Sequence, residues 1–149
     1  MGIKFVYFDK EFVNLSWKWL NDEDIRRLTN TPIFTREEQN IWFDKLNDKN
    51  DYFIWGVEIS GIKIGACGLK NIINSACEYW GYIGEKTYWG HGLGHEMMTL
   101  AEEEARVLGM SGIWLKVIKD NNRAISLYKK QGYNFESETD TLFVMRKKL

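Results

Sequence analysis

The sequence has little that would hold it in a membrane or give it a strong charge of one sign. Among its 149 residues, no apolar run approaches the roughly 20 residues that a transmembrane helix needs. The start, Met1 to Tyr7, lacks the basic-then-apolar layout of a signal peptide, so we expect a cytoplasmic protein without a membrane partner. The 20 basic and 21 acidic residues nearly cancel, which argues against a nucleic-acid partner.

Cysteine and histidine are also scarce, with two of each. Cys67 and Cys77 form no CxxC pattern and have no neighbouring histidine, so we expect buried free thiols rather than a zinc site or a redox pair. His91 and His95 are separated by one helical turn, but no third ligand of suitable spacing accompanies them. No metal site is predicted.

The chain does contain enough apolar sequence for one hydrophobic core. Hydrophobic residues make up 44% of it, and its length is typical of one compact domain. Pro32 is the only proline, and no Gly/Ser linker, charge block or repeat marks a boundary. We therefore predict a single domain, 1–149.

The first third of the chain combines one strand with helical segments. Ile3 to Tyr7 alternates apolar and polar residues, as a strand does, and a helical stretch begins at about Lys10. Asn21 to Leu28 resembles a short helix, and Thr35 with Glu38 forms a capping box that opens another. We expect two helices between the first and second strands.

From Tyr52 onward the period changes to that of strands. Tyr52 to Ile59 and Ile62 to Leu69, joined by a tight turn at Ser60-Gly61, predict a β-hairpin. Cys77 to Gly84 continues the antiparallel meander as a third strand.

The second half alternates helices and strands. A stripe of apolar residues at helical spacing predicts a helix from Leu93 to Leu108, and Ile113 to Ile118 is a β-branched, strand-like run. Asn121 or Asn122 caps a further helix, and a last strand is expected around Thr141 to Arg146. The predicted fold class is α/β (α+β), a central, mixed, mostly antiparallel twisted sheet of about six to seven strands with about four helices on its faces.

A glycine-rich turn, Trp89-Gly90-His91-Gly92-Leu93-Gly94, lies between the third hairpin strand and the amphipathic helix. Unpaired amides and the positive end of the helix dipole converge there, glycine lets the backbone approach an anion, and His91 and His95 would add donors at the rim. A phosphate is the expected ligand, with a plain strand-to-helix turn as the alternative. His95-Glu96 after Gly94 excludes a Walker loop, and the preceding antiparallel meander excludes a dinucleotide fingerprint.

A second motif follows at the appropriate distance, NNRAISLYKKQGY from Asn121 to Tyr133. Together the two motifs resemble the donor-binding signature of the GNAT superfamily of N-acetyltransferases. That signature is a strand, (Arg/Gln/Trp)-Gly-x-Gly-(Leu/Ile/Tyr)-(Gly/Ala), a helix, a strand, and Asn-x-x-Ala-Ile-x-Leu-Tyr-x-x-x-Gly-(Phe/Tyr). The resemblance implies a GNAT-like domain that uses acetyl-CoA as co-substrate and acetylates a primary amine by direct attack in a ternary complex.

The resemblance also implies which residues hold the donor. Backbone groups from Tyr82 to Gly84 would bind the pantetheine, amides from Gly90 to His95 would bind the pyrophosphate, and Asn121 would contact the pantetheine arm through its side chain. The donor-binding residues expected on this basis are Tyr82, Ile83, Gly84, Gly90, His91, Gly92, Leu93, Gly94, His95, Asn121 and Tyr128.

Two residues are expected to act in the chemistry of transfer. Tyr128 matches the family position that faces the thioester sulfur and would protonate the leaving thiolate, the alternative being an ordinary core tyrosine. A backbone amide near Ile83 would stabilise the developing oxyanion.

The general base is expected to be Glu78, with Glu85 as the alternative. One branch of the family shares the spacing of Gly-Tyr followed by Trp-Gly-x-Gly, here Gly81-Tyr82 and Trp89-Gly90. In that branch the acidic residue lies two positions before the glycine, where this chain has Tyr79. In a regular strand Glu78 would point to the opposite face, and a bulge would be needed to restore it.

The acceptor is the least determined part. Trp19-Leu20-Asn21-Asp22 and the Trp-Gly-x-Gly form resemble ribosomal-protein N-terminal and bacterial amino-sugar acetyltransferases, and no acidic run would attract a polyamine. We favour a small molecule such as a nucleotide-linked amino sugar, with a protein or peptide N-terminus and a non-catalytic acyl-CoA-binding module as alternatives. A homodimer is compatible with the resemblance. Flat faces for a sugar ring would come from Trp17, Trp19, Phe34, Trp42, Trp55 and Trp80.

Overall fold

The computed structural model describes residues 2–149, so Met1, the first residue of the predicted domain, lies outside the described residues. Along the chain the elements are β1 (Ile3–Tyr7), α1 (Lys10–Leu20), α2 (Glu23–Leu28), α3 (Arg36–Leu46), β2 (Phe53–Ile59), β3 (Ile62–Ile73), β4 (Ala76–Ile83), α4 (Leu93–Val107), β5 (Gly112–Ile118), α5 (Asn122–Lys130), β6 (Asn134–Glu138) and β7 (Leu142–Lys148).

All seven strands form one sheet in the order β1-β2-β3-β4-β5-β7-β6. The first four strands are an antiparallel meander, β4 and β5 are parallel, and β5, β7 and β6 are again antiparallel. The α4 crossover between β4 and β5 is what a parallel connection requires. The predicted mixed, mostly antiparallel sheet is confirmed.

The two faces of the sheet carry separate clusters of apolar side chains, because successive residues of a strand point to opposite faces. On one face Tyr79 of β4 packs in a cluster with Met97 of α4 and Ile125 of α5. On the other face Trp80 and Tyr82 pack in a cluster that includes α1, α2 and α3. The odd-numbered side chains of β4 therefore point to the α4–α5 face of the sheet, and the even-numbered ones point to the α1–α3 face.

Local signals in the sequence account for the helix starts. The Asp9 side chain caps α1 by accepting from the Phe12 amide at 3.1 Å, and the predicted capping box of Thr35 and Glu38 is present at the start of α3. Cys67 and Cys77 are buried free thiols, as predicted. Among residues 2–149, none of the helices combines the length and apolar character that spanning a bilayer requires.

Two predictions about the elements were wrong. Three helices, not two, separate β1 from β2, because Asp22 caps α2 as a separate six-residue helix after α1. The prediction also omitted β6, whose sequence NFESE is exposed throughout and lacks the apolar alternation of a half-buried strand. Pairing with β7 makes it a strand, and that pairing is not encoded in its local pattern.

Candidate functional site

The sheet opens between β4 and β5. These two strands pair over three positions only, Ala76 with Gly112, Cys77 with Ile113 and Glu78 with Trp114. Beyond Glu78, β4 continues to pair with β3, while β5 continues to pair with β7. The two strands therefore part after Glu78, which lies at the apex of the gap.

Only every second residue of β4 directs its backbone N–H and C=O groups into the gap. The Gly84 amide donates a hydrogen bond of 2.7 Å to the Ile64 carbonyl of β3, so the backbone groups of Gly84 point toward β3. By the alternation of an antiparallel ladder, Tyr82 also bonds toward β3, whereas Gly81 and Ile83 direct their N–H and C=O groups toward the gap.

These directions correct the expectation for the end of β4. The Tyr82 and Gly84 backbones face β3, and the backbone that faces the gap beside Ile83 is that of Gly81, which the prediction did not include. The Ile83 carbonyl accepts a 2.8 Å hydrogen bond from Nε1 of Trp89, so its amide is the group left to face the gap. The tryptophan of the glycine motif thus satisfies a carbonyl that the parting of the strands would leave unpaired.

The glycine turn ends in an uncapped helix start. Gly92 is the N-cap of α4, with φ of 76° and no side-chain cap, and the first helical bond runs from the Glu96 amide to the Gly92 carbonyl at 3.3 Å. The amides of Leu93, Gly94 and His95 precede that bond, so they are the orphan donors of the first turn. With the positive end of the helix dipole they suit an anion.

The start of α5 lies on the other side of the gap. Asn121, rather than Asn122, is the N-cap, and its Oδ1 accepts from the Ala124 amide at 3.3 Å. The Tyr128 ring lies 6.1 Å from the ring of Tyr133, and burial raises the pKa of Tyr128 to about 12. The Tyr128 hydroxyl makes no hydrogen bond to residues 2–149 and stays a protonated phenol at neutral pH.

One cleft of about 980 Å³ joins these features. It begins at the glycine turn, passes Tyr128 in the gap, and continues to the α1–α3 face of the sheet. His91 is exposed and does not line it, whereas Arg123, which the sequence reasoning missed, does. The predicted residues that line the cleft are Glu78, Tyr82, Ile83, Gly90, Gly92, Leu93, Gly94, His95, Asn121 and Tyr128.

Glu78 enters the cleft from the α1–α3 face. The register from Gly65–Ile83 to Lys70–Glu78 is continuous, so the bulge considered for Glu78 is not present in this stretch of β4. Glu78 therefore shares its face with Trp80 and Tyr82, opposite Tyr79. It is 6% exposed, and it accepts a 2.7 Å hydrogen bond from Nδ2 of Asn71.

Glu85 does not line the cleft and is bound elsewhere. Its Oε2 accepts a 2.6 Å hydrogen bond from Nε1 of Trp19. Of the two candidate bases, Glu78 is the one that reaches the cleft.

On the α1–α3 face the cleft is lined by residues that we call the aromatic bay. They are Phe8, Trp42, Tyr52, Trp80 and Tyr82, with Lys70 and Glu78 of the sheet as the floor. Trp42 lies edge-on to Phe8 and Tyr52, at centroid distances of 6.1 and 6.3 Å. Of the six aromatic residues predicted as a sugar platform, Phe34, Trp42 and Trp80 line the cleft, whereas Trp17, Trp19 and Trp55 do not.

No group of three or more histidine, cysteine, aspartate or glutamate side chains within residues 2–149 is arranged to hold a metal ion. Tyr128 and Glu78, the two residues that the sequence predicts to act in the chemistry, both line the cleft.

Comparison with known proteins identifies the same region. The model of the acetyltransferase (GNAT) family matches residues 17–133. None of the curated protein sequences matches the chain.

Solved structures share the whole fold at low sequence identity. Spermidine N-acetyltransferase from Vibrio cholerae, in complex with CoA and spermine, has a TM-score of 0.88 at 19% identity, covering 98% of this chain and 95% of that one. The N-acetyltransferase PseH from Campylobacter jejuni, in complex with acetyl coenzyme A, has a TM-score of 0.74 at 22% identity, with 98% of both chains covered. The PaiA N-acetyltransferase from Thermoplasma acidophilum, in complex with coenzyme A, has a TM-score of 0.72 at 22% identity over the full length of both chains.

Proposed function

This chain belongs to the acetyltransferase (GNAT) family, and we propose from that premise how its residues perform acetyl transfer and which amine they act on. It is an N-acetyltransferase with acetyl-CoA as co-substrate. The observation that carries the proposal is the continuous cleft, which runs from the amides of the glycine turn past Tyr128 to Glu78.

The residues of the gap suit a phosphate-bearing thiol carrier. Orphan amides at Leu93, Gly94 and His95 would bind the pyrophosphate, and the positive φ values of Gly90 (83°) and Gly92 (76°) shape the turn around them. The Gly81 backbone would bond the pantetheine arm in place of the missing β5 partner, together with the Asn121 side chain. Acetyl-CoA supplies an acetyl group activated as a thioester.

Tyr128 is assigned as the proton donor to the leaving thiolate. Tyr128 lines the cleft, its hydroxyl has no hydrogen-bond partner among residues 2–149, and its raised pKa keeps the proton available at neutral pH. The Ile83 amide is assigned to the thioester carbonyl oxygen, because its direction toward the gap permits a hydrogen bond there.

Glu78 is assigned as the group that takes the proton of the attacking amine. It lies at the apex of the gap, on the face opposite α4 and α5, so an amine in the aromatic bay would approach from the side opposite Tyr128. The hydrogen bond from Asn71 to Oε1 restrains the carboxylate and leaves Oε2 without a partner among residues 2–149.

A single-ammonium acceptor suits the bay better than a polyamine. Glu38 and Glu78 are the only acidic residues that line the described cleft, and the Glu38 carboxylate is bound to the Thr35 amide in the capping box. One carboxylate among aromatic side chains would bind an acceptor with a single ammonium group, while the aromatic rings contact the apolar part of that acceptor. We therefore favour a small amine such as a nucleotide-linked amino sugar over spermine, which the Vibrio cholerae enzyme binds.

The experiment is a CoA-release assay on the full chain with acetyl-CoA and a panel of acceptors. The panel contains amino sugars, UDP-linked amino sugars, spermidine and peptides with free N-termini. We expect turnover with amino sugars. Turnover with peptides alone would support the N-terminal acetyltransferase alternative instead. CoA binding without turnover on any amine would identify a non-catalytic binding module and refute the proposal.

A further inference from the structure

Lys70 lies beside Glu78 on the floor of the aromatic bay. The two residues are direct partners in the β3–β4 ladder, and both line the cleft. The Cβ atoms of such cross-strand partners are about 5 Å apart on the same face of the sheet. A basic and an acidic side chain therefore enter the bay together.

Lys70 and Glu78 carry opposite charges on neighbouring strands, but neither side chain is in a salt bridge with residues 2–149. Lys70 is half-buried and forms no ion pair or hydrogen bond with residues 2–149, and Glu78 is bound by Asn71, a neutral side chain. Charged groups shielded from water are costly unless they are paired. The bay thus holds one cation and one anion whose partners would come from a ligand.

The other polar groups of the bay are hydrogen-bond donors. Nε1 of Trp80 is buried and lies near the Tyr52 hydroxyl, but no hydrogen bond of good geometry joins it to a described residue. Burial raises the pKa of Tyr52, so its phenol remains a donor at neutral pH. The indole N–H of Trp80 has almost no exposed surface, so the donors that a ligand with several oxygen atoms would meet are those of Lys70 and Tyr52.

We propose that the acceptor is a primary amine that also carries an anionic group, a phosphate or a carboxylate, with the amine at Glu78 and the anion at Lys70. This inference rests on the proposed function and narrows its substrate class. It also gives a physical reason to exclude polyamines, because their second ammonium group would face the Lys70 ammonium.

The test compares matched acceptors that differ in the anion. Glucosamine 6-phosphate is paired with glucosamine, and phenylalanine with phenethylamine, so that the phosphate and carboxylate sources are separated. We expect kcat/KM at least about tenfold higher for the anionic member of one pair. Lys70→Met, which keeps the length of the side chain, is expected to abolish this preference, so that both members of the pair react with similar kcat/KM.

The control variant is Lys4→Met, which removes an exposed lysine on β1, outside the cleft, and is expected to preserve the preference. A preference for the neutral members, or an equal loss for both members in Lys70→Met, would overturn the inference and leave the acetyltransferase assignment intact.

Calorimetric titration of glucosamine 6-phosphate and phenylalanine into the CoA-bound protein separates the two failures. If the wild-type protein binds these ligands, Lys70→Met weakens the binding about tenfold, and no amine is turned over, the proposed function is refuted but the inference about Lys70 stands. Absence of both binding and turnover for every member would overturn the inference as well.

Discussion

Nε1 of Trp19 donates a hydrogen bond of 2.6 Å to Oε2 of Glu85 and so joins α1 to the segment that follows β4. Lys86 strengthens the same connection through ion pairs with Asp22 at 2.8 Å and Asp24 at 3.0 Å around the start of α2. These contacts attach α1 and α2 to the segment between β4 and the glycine turn. Glu85 is engaged in this attachment, and it is therefore not free to act as a base.

The first prediction separates the two candidate bases. Glu78→Gln is expected to lower kcat/KM by about 100-fold or more, because an amide does not take up the proton of the amine. Glu85→Gln keeps an oxygen that can accept from Trp19 and is expected to stay within about threefold of wild type. Steady-state kinetics on the two variants decide between the residues. A larger loss in Glu85→Gln would reverse the assignment.

The second prediction concerns the close contact between Gly84 and Trp19. A Cβ at Gly84 would lie 2.1 Å from Cδ2 of the Trp19 ring, which is only 2% exposed and has little room to move. Gly84→Ala is expected to lower the free energy of unfolding by about 1–3 kcal/mol in denaturant titrations. Gly112→Ala is the matched control, since its Cβ would meet its nearest neighbour at an ordinary 3.6 Å. Equal stability of the two variants would contradict the packing argument.

The third prediction tests the proton donor. Tyr128→Phe keeps the ring but removes the hydroxyl, so kcat is expected to fall about 100-fold with little change in the KM for acetyl-CoA. Tyr7→Phe is the control, because Tyr7 is 71% exposed on β1 and outside the cleft. An unchanged kcat in Tyr128→Phe would mean that Tyr128 only packs against the core.

The fourth prediction follows from the pKa of Tyr128. Burial raises this pKa from 10.0 to about 12, so the unfolded chain releases the proton at lower pH than the folded one. The contribution of Tyr128 to stability is therefore fully present below pH 10 and is lost as the pH rises toward 12. Between pH 9 and 11, measured by chemical denaturation, wild type should lose stability more steeply than Tyr128→Phe, by at most about 1.4 kcal/mol per pH unit. Parallel slopes would contradict the raised pKa.

The fifth prediction concerns the buried carboxylate of Glu102 in α4. It accepts hydrogen bonds of 2.8 Å from the Tyr133 hydroxyl and from Nζ of Lys147, and it is only 3% exposed. Glu102→Ala leaves both donors without a partner and is expected to cost about 3–5 kcal/mol of unfolding free energy. Glu103→Ala, at the exposed neighbouring position, should stay within about 0.5 kcal/mol. Thermal or denaturant unfolding of both variants measures the difference, and similar losses would contradict this prediction.

Local chemistry explains why much of the fold was predictable. The start of α3 was visible as the Thr35 capping box, that of α5 as the Asn121–Asn122 pair, and that of α4 as the glycine turn, because glycine at positive φ leaves a sequence signature. By contrast, β6 was missed because an exposed edge strand has no apolar period. The backbone directions at Tyr82 and Gly84 were also missed, since the phase of a β-ladder depends on its partner strand.

By itself the sequence determined the family motifs, the order of most elements and the position of Tyr128 in the second helix after the glycine turn. These features depend on spacing along one stretch of chain. Only the tertiary structure decided that no bulge turns Glu78 and that it reaches the cleft from the face opposite Tyr128, that Trp19 binds Glu85, and that Lys70 lies next to Glu78. Those relationships depend on strand register and on where β4 and β5 part. Both are set by packing between segments distant in the chain, and no local pattern records them.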